Sequence, residues 1–114
     1  MCKIIIAGSR TFNDYNLLIK TLKELNLNIT EIVSGTAKGA DSLGEKFATE
    51  NNIPIKKFPP NWSKYHKSAG VIRNQEMIDY GDVLIAFWDR NSKGTQDSIN
   101  KAQKSGKKVF VIEF

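Results

Sequence analysis

The stretch Ile32–Ala48, IVSGTAKGADSLGEKFA, decides how this chain folds. It begins inside an apolar, β-branched run that starts at Ile29 and ends at Val33, breaks at Ser34, Gly35 and Thr36, then resumes with Ala40, Leu43 and Phe47 at helical spacing to about Glu50. A strand that turns through small residues directly into a helix is the opening of a strand–helix–strand unit. The turn itself has two readings. Glycines at 35 and 39 let backbone amides approach a ligand while the helix N-terminus aims its partial positive charge outward. Equally, Ser, Gly and Thr turn the chain and cap the helix with no ligand involved.

The same rhythm extends in both directions. Upstream, Lys3–Ala7 (KIIIA) reads as a strand ended by Gly8, and Tyr15, Leu18, Leu22 and Leu25 repeat at helical spacing after SRTFND. Asn13 or Asp14 is placed to cap that helix, and the Asn-rich 26–28 stretch ends it. Downstream, IPIKKF gives a third strand from Ile53, and PPNWSKYHKSAG then interrupts the pattern as a functional loop or lid, because Pro59 and Pro60 exclude regular structure. A helix from about Ala69 to Tyr80, a strand Val83–Trp88, a polar loop DRNSKG, a helix Thr95–Ser105 and a strand Lys108–Glu113 complete the chain.

Strands that alternate with helices, and apolar strands such as VLIAFW that suit burial on both sides, predict an α/β fold. The expectation is a single Rossmann-like three-layer domain over residues 1–114, with a five-stranded parallel sheet in the order 3-2-1-4-5 and helices on both faces. In that order a crevice opens between the carboxyl ends of the first and fourth strands. Gly8, Ser9 and Arg10, then Ser34, Gly35 and Thr36, then Asp89, Gly94 and Thr95 are thereby expected along one edge.

Composition narrows the function classes. Hydrophobic residues at 40% and charged residues at 25% describe an ordinary folded chain, and no apolar run is long enough to span a bilayer. With no signal-peptide pattern at the start, a cytoplasmic protein without a membrane partner is expected. Cys2 and His66 are the sole cysteine and histidine, so one chain builds neither a disulfide framework nor a Cys/His zinc site. No metal and no cofactor are expected. A net charge of +5 favours anionic partners. Among many lysines the chain uses only Arg10, Arg73 and Arg90 as arginine, the side chain that grips phosphate or carboxylate at two points.

Small residues and donors ahead of a helix, repeated in GSR, SGT and SKGT, point to a phosphate-bearing ligand. Asp41 reads either as an acceptor for a ribose hydroxyl or as charge compensation in a first helical turn. Arg73 and Asn74, in AGVIRN, read as a phosphate contact and a bridge from ligand to backbone, or as an exposed ion pair. Trp62 stands in the proline loop near the ligand, where a base can stack on it, while Tyr65 reads as cover for the core. His66 is a solvated loop residue.

Together GSRTF, SGTAKGAD, NWSKYHKSAGVIRNQEM and VLIAFWDRNSKGT resemble the YspA-type branch of the SLOG superfamily, the Rossmann-like group that also holds the SMF/DprA and LOG families. The resemblance runs over almost the whole chain. It implies a domain that binds nucleotides or nucleotide-derived molecules through the 8–10, 34–41, 73–74 and 94–95 blocks, and subunits that pair into homo-oligomers. LOG enzymes cleave an N-glycosidic bond with a PGGxGTxxE block. Here Gly94 and Thr95 match it, but Ser98 stands in place of the glutamate and the double glycine is absent. Pro60, Asn61, His66, Val71 and Arg90 also depart from the branch pattern.

Three functions follow as expectations. The first is a binding protein that senses or sequesters a nucleotide-derived signalling molecule, such as an ADP-ribose derivative or a cyclic nucleotide. The second is a hydrolase of nucleotide N-glycosidic or phosphate bonds, with Asp89, Asp97 or Glu76 as general acid or base. The third is DprA-like nucleic-acid binding through Lys56, Lys57, Lys101, Lys104, Lys107 and Lys108. A small Lys- and Asn-rich chain is also compatible with a phage origin.

Overall fold

The structure, a computed structural model, describes residues 2–114. Strand β1 (Cys2–Gly8) lies at the centre of a parallel sheet. On one side it pairs with β2 (Ile29–Ser34), which pairs with β3 (Ile55–Lys57). On the other it pairs with β4 (Val83–Trp88), which pairs with β5 (Lys108–Glu113). The observed order β3-β2-β1-β4-β5 is the one expected from the sequence. The longer helices are α1 (Tyr15–Leu25), α2 (Ala40–Glu50), α4 (Ala69–Tyr80) and α5 (Lys93–Lys104), and a one-turn helix α3 (Trp62–Tyr65) precedes α4.

Strand alternation divides the core in two. Ile4 and Ile6 of β1, with Val83, Ile85 and Phe87 of β4, face Leu18 and Leu22 of α1 and Ala40 and Ala48 of α2. Ile5 and Ala7, with Leu84 and Ala86, face Met77 and Ile78 of α4 and Ile99 and Ala102 of α5. Because period two sends neighbours to opposite faces, a continuous apolar run is the pattern that buries a strand twice. Among the described residues no helix is long and apolar enough to cross a membrane.

The element ends show local chemistry at work. Asp14 caps α1 by accepting from Leu17 N at 3.0 Å, and Asn26 ends it in the left-handed conformation at φ 48°. Strand β3 starts two residues after Ile53. The Ile53 amide is tied back to Ala48 O at 2.8 Å, and Pro54 has no amide to offer and supplies only its carbonyl, to Ile32 N at 2.9 Å. Helix α5 starts at Lys93 rather than Thr95, because Ser92 Oγ caps it by accepting from Thr95 N at 3.3 Å. The proline segment is also more ordered than a loop. Asn61 Oδ1 accepts from Lys64 N at 3.1 Å and nucleates α3, and a 3-10 turn at His66–Ser68 leads into α4.

Candidate functional site

Strands β1 and β4 end in register, with Gly8 opposite Phe87, and the chain is stitched just beyond them. Ser9 N donates to Phe87 O at 2.9 Å, and Asp89 N donates to Ser9 Oγ at 3.1 Å. Gly8 is required here by close approach, since a Cβ would run into the Phe87 carbonyl and the Ala40 methyl. Phe12 anchors the β1–α1 loop by stacking on Phe87 at 4.5 Å between ring centroids, which presents exposed Arg10 at the sheet edge.

The turn after β2 is held just as closely. Ser34 Oγ donates to Glu45 Oε2 at 2.6 Å and accepts from Thr36 N at 3.1 Å. Thr36 is held at φ 64°, a left-handed conformation that a β-branched residue rarely adopts. Gly39, at φ 79°, lies so close to the Ser9 and Arg10 carbonyls that a Cβ would run into both, which joins this turn to the first loop.

Arg73 and Asn74 of α4 tie the remaining loops together. Arg73 Nη1 donates to Gly35 O, and its Nε donates to Asn74 Oδ1 at 3.0 Å. Asn74 Nδ2 donates to Gly94 O at 3.3 Å and Asp97 Oδ2 at 3.0 Å, so its amide binds α4 to the start of α5. Ser92 satisfies Thr95 N, and the amides of Lys93 and Gly94 in the first turn have no intrahelical partner.

These loops enclose two adjoining chambers. One, of about 440 Å³, lies over the strand ends and is lined by Gly8, Ser9, Asp41, Asp89, Thr95 and Ser98 among others. The second, of about 570 Å³, is bordered by Gly35, Thr36, Trp62 and Asp97 and by three lysines, Lys38, Lys67 and Lys93. Arg10, Ala37, Arg73, Asn74 and Gly94 line both and form the wall between them.

Most of the residues singled out from sequence therefore meet at one edge, including exposed Trp62. Ser34, Gly39 and Glu76 line neither chamber. Ser34 is 1% exposed and spends its hydroxyl on Glu45, Gly39 serves loop packing, and Glu76 points to solvent from α4. Arg90 faces Glu113 at 3.4 Å on the surface, away from both chambers. Sequence reasoning missed Lys38, Lys67 and Lys93. Their signal is local, since each stands one to three residues before a glycine that opens or adjoins a helix: KG at 38, KSAG at 67 and KG at 93.

The carboxylates differ in state. Burial pushes Asp41 up to about 6, against the Ala37 amide and Arg73, which favour its charged form, while nearby Glu45 adds to the rise. Asp89 is held below the usual carboxylate range by the amides of Asn91 and Ser92, at 2.8 and 2.9 Å. Asp97 is ion-paired with Lys101 at 2.6 Å. Arg73 loses some of its preference for charge to burial, and Asp41 beside it offsets this.

A parallel sheet with this strand order, and loops gathered over the ends of its first and fourth strands, defines a Rossmann-like α/β protein. The family model YAcAr, described as the YspA, cpYpsA-related SLOG family, matches residues 2–65, and the chain belongs to that family. It is similar to the Gene 61 protein of Mycobacterium phage D29, at 32% identity over 100% of this chain and 97% of that protein. Its fold is also that of the X-ray structure of DNA processing protein A (DprA) from Streptococcus pneumoniae, with a TM-score of 0.79 at 18% identity. That match covers 96% of this chain and 49% of DprA, so the chain spans about half the length of that protein.

Proposed function

We propose that the protein binds a nucleotide or nucleotide-derived ligand in the paired chambers at the carboxyl edge of the sheet, and holds it without turning it over. The supporting observation is the meeting of Arg10, Arg73 and the open first turn of α5 on one wall, where guanidinium groups and free amides offer oxyanions directed donors. Asp41, Asp89 and the hydroxyls of Ser9 and Thr95 suit the hydroxyl-rich sugar of such a ligand. The reading includes the homo-oligomer implied by the family resemblance. Native mass spectrometry of protein purified from its host reports subunit number and retained small molecules together. A nucleotide-derived mass released unchanged on denaturation supports the reading; a mass of unrelated chemistry, or no binding to a nucleotide panel in calorimetry, contradicts it.

A second reading, hydrolysis of the ligand, has one observation in its favour, although the three acids first considered for it are poorly placed. Asp89 is held ionised, Asp97 is ion-paired and Glu76 lies outside both chambers. Asp41 is the better proton donor, because it lines the strand-end chamber and its pKa of about 6 leaves it partly protonated near neutrality. Release of free base or sugar phosphate, abolished by Asp41→Asn, would establish hydrolysis over sequestration.

A further inference from the structure

We infer that the ligand carries at least two linked phosphates, seated in the Lys38–Lys67–Lys93 chamber and reaching the Arg10–Arg73 wall. This rests on the nucleotide reading above and specifies its anionic part. The chamber brings five cationic side chains to one cavity with a single carboxylate, Asp97, already engaged by Lys101 and Asn74. The strand-end chamber, by contrast, sets Arg10 and Arg73 against Asp41 and Asp89. Charge is thus balanced in one chamber and strongly positive in the other.

Several cations elsewhere on the molecule have partners, while Lys23 and Lys104 stand alone on exposed helix surface. Lys57 faces Glu45, Lys20 faces Glu24, Lys101 pairs with Asp97, and Lys107 donates to Gly81 O. Among the described residues, Arg10, Lys38, Lys67 and Lys93 make no ion pair or side-chain hydrogen bond, and all four line this chamber. Like charges gathered without counter-charge repel one another, and a polyanion relieves that repulsion. A single phosphate, with at most about two negative charges, leaves about half of these four charges unneutralised. Exposed Trp62 and Val71 form an apolar rim beside the cations, a surface on which a base can rest.

A nucleic-acid backbone has phosphates too, but it needs a track of cations. The lysines first considered for that role are divided, with Lys56 and Lys57 on β3 and Lys101, Lys104, Lys107 and Lys108 at α5 and β5 by the opposite edge, and none of them lines this chamber. A compact group of exposed cations around one open pocket suits a compact diphosphate.

Titration calorimetry with inorganic pyrophosphate and inorganic phosphate tests this without assuming a base. Pyrophosphate is expected to bind at least about tenfold more tightly. Lys67→Met and Lys93→Met should each weaken it by at least about fivefold, leave phosphate almost unaffected and preserve the thermal melt, whereas Lys104→Met on the outer surface of α5 should change nothing. Equal affinity for the two anions, or an equal loss in Lys104→Met, overturns the inference. So does a short single-stranded oligonucleotide that binds more tightly than pyrophosphate. If nucleoside monophosphates bind while pyrophosphate has no advantage, only the diphosphate inference falls. If no nucleotide binds either, the function proposed for the site falls with it.

Discussion

Asp41 shows how one residue answers to both fold and site. It is 4% exposed, accepts from Ala37 N at 3.2 Å and lines the strand-end chamber. Burial lifts it from 3.8 to about 6, so the native state holds this proton more tightly than the unfolded chain does. Its contribution to stability is therefore fully present below pH 4 and is lost as pH rises through 6. Asp41→Asn keeps the acceptor for Ala37 and removes the buried charge. It is expected to be more stable than the parent at pH 8 by up to about 3 kcal/mol, with the two converging at pH 4, as read by urea denaturation. A gap independent of pH would contradict the assignment. Gly39 carries the opposite kind of demand. At φ 79° and against the Ser9 carbonyl it has no room for a methyl, so Gly39→Ala should cost at least about 2 kcal/mol in the same measurement.

At the level of elements, the site is a set of loops held by anchors that point away from it. Phe12 is 1% exposed, stacks on Phe87 and meets Phe114 edge-on at 4.9 Å, so Phe12→Ala should cost about 3–5 kcal/mol. It should also weaken anion binding, since the same loop carries Arg10. A melt lowered with binding unchanged would separate that loop from the site. Much of this was legible beforehand because strand and helix have distinct periods. The continuous apolar run VLIAFW and the spacing of Leu18, Leu22 and Leu25 mark their elements directly. Helix α3 was hidden behind two prolines, and its only signal is the Asn61 cap. The three chamber lysines carry only a nearby glycine as local signal, and a lysine in a polar loop can have that whether it meets water or an anion. Only the fold reveals which of them converge.

Across the whole molecule, the strand order puts the site where it is. Helices α1 and α2 pack on one face of the sheet and α4 and α5 on the other, so the chain leaves β1 and β4 in opposite directions and the loops part above them. This was readable from the sequence because parallel crossovers have a fixed hand and the helices must cover both faces. The division of the edge into a charge-balanced chamber and a cationic one was not, since it depends on Arg73 and Asn74 bracing two loops, at Gly35 and Gly94, that lie far apart in the chain. The most direct test is a backbone amide NMR titration of the intact chain with a nucleoside diphosphate. Saturable shifts concentrated at Gly8–Arg10, Lys67, Arg73 and Lys93–Thr95 are predicted. Shifts confined to the outer strands β3 and β5, or none at all, would contradict the account.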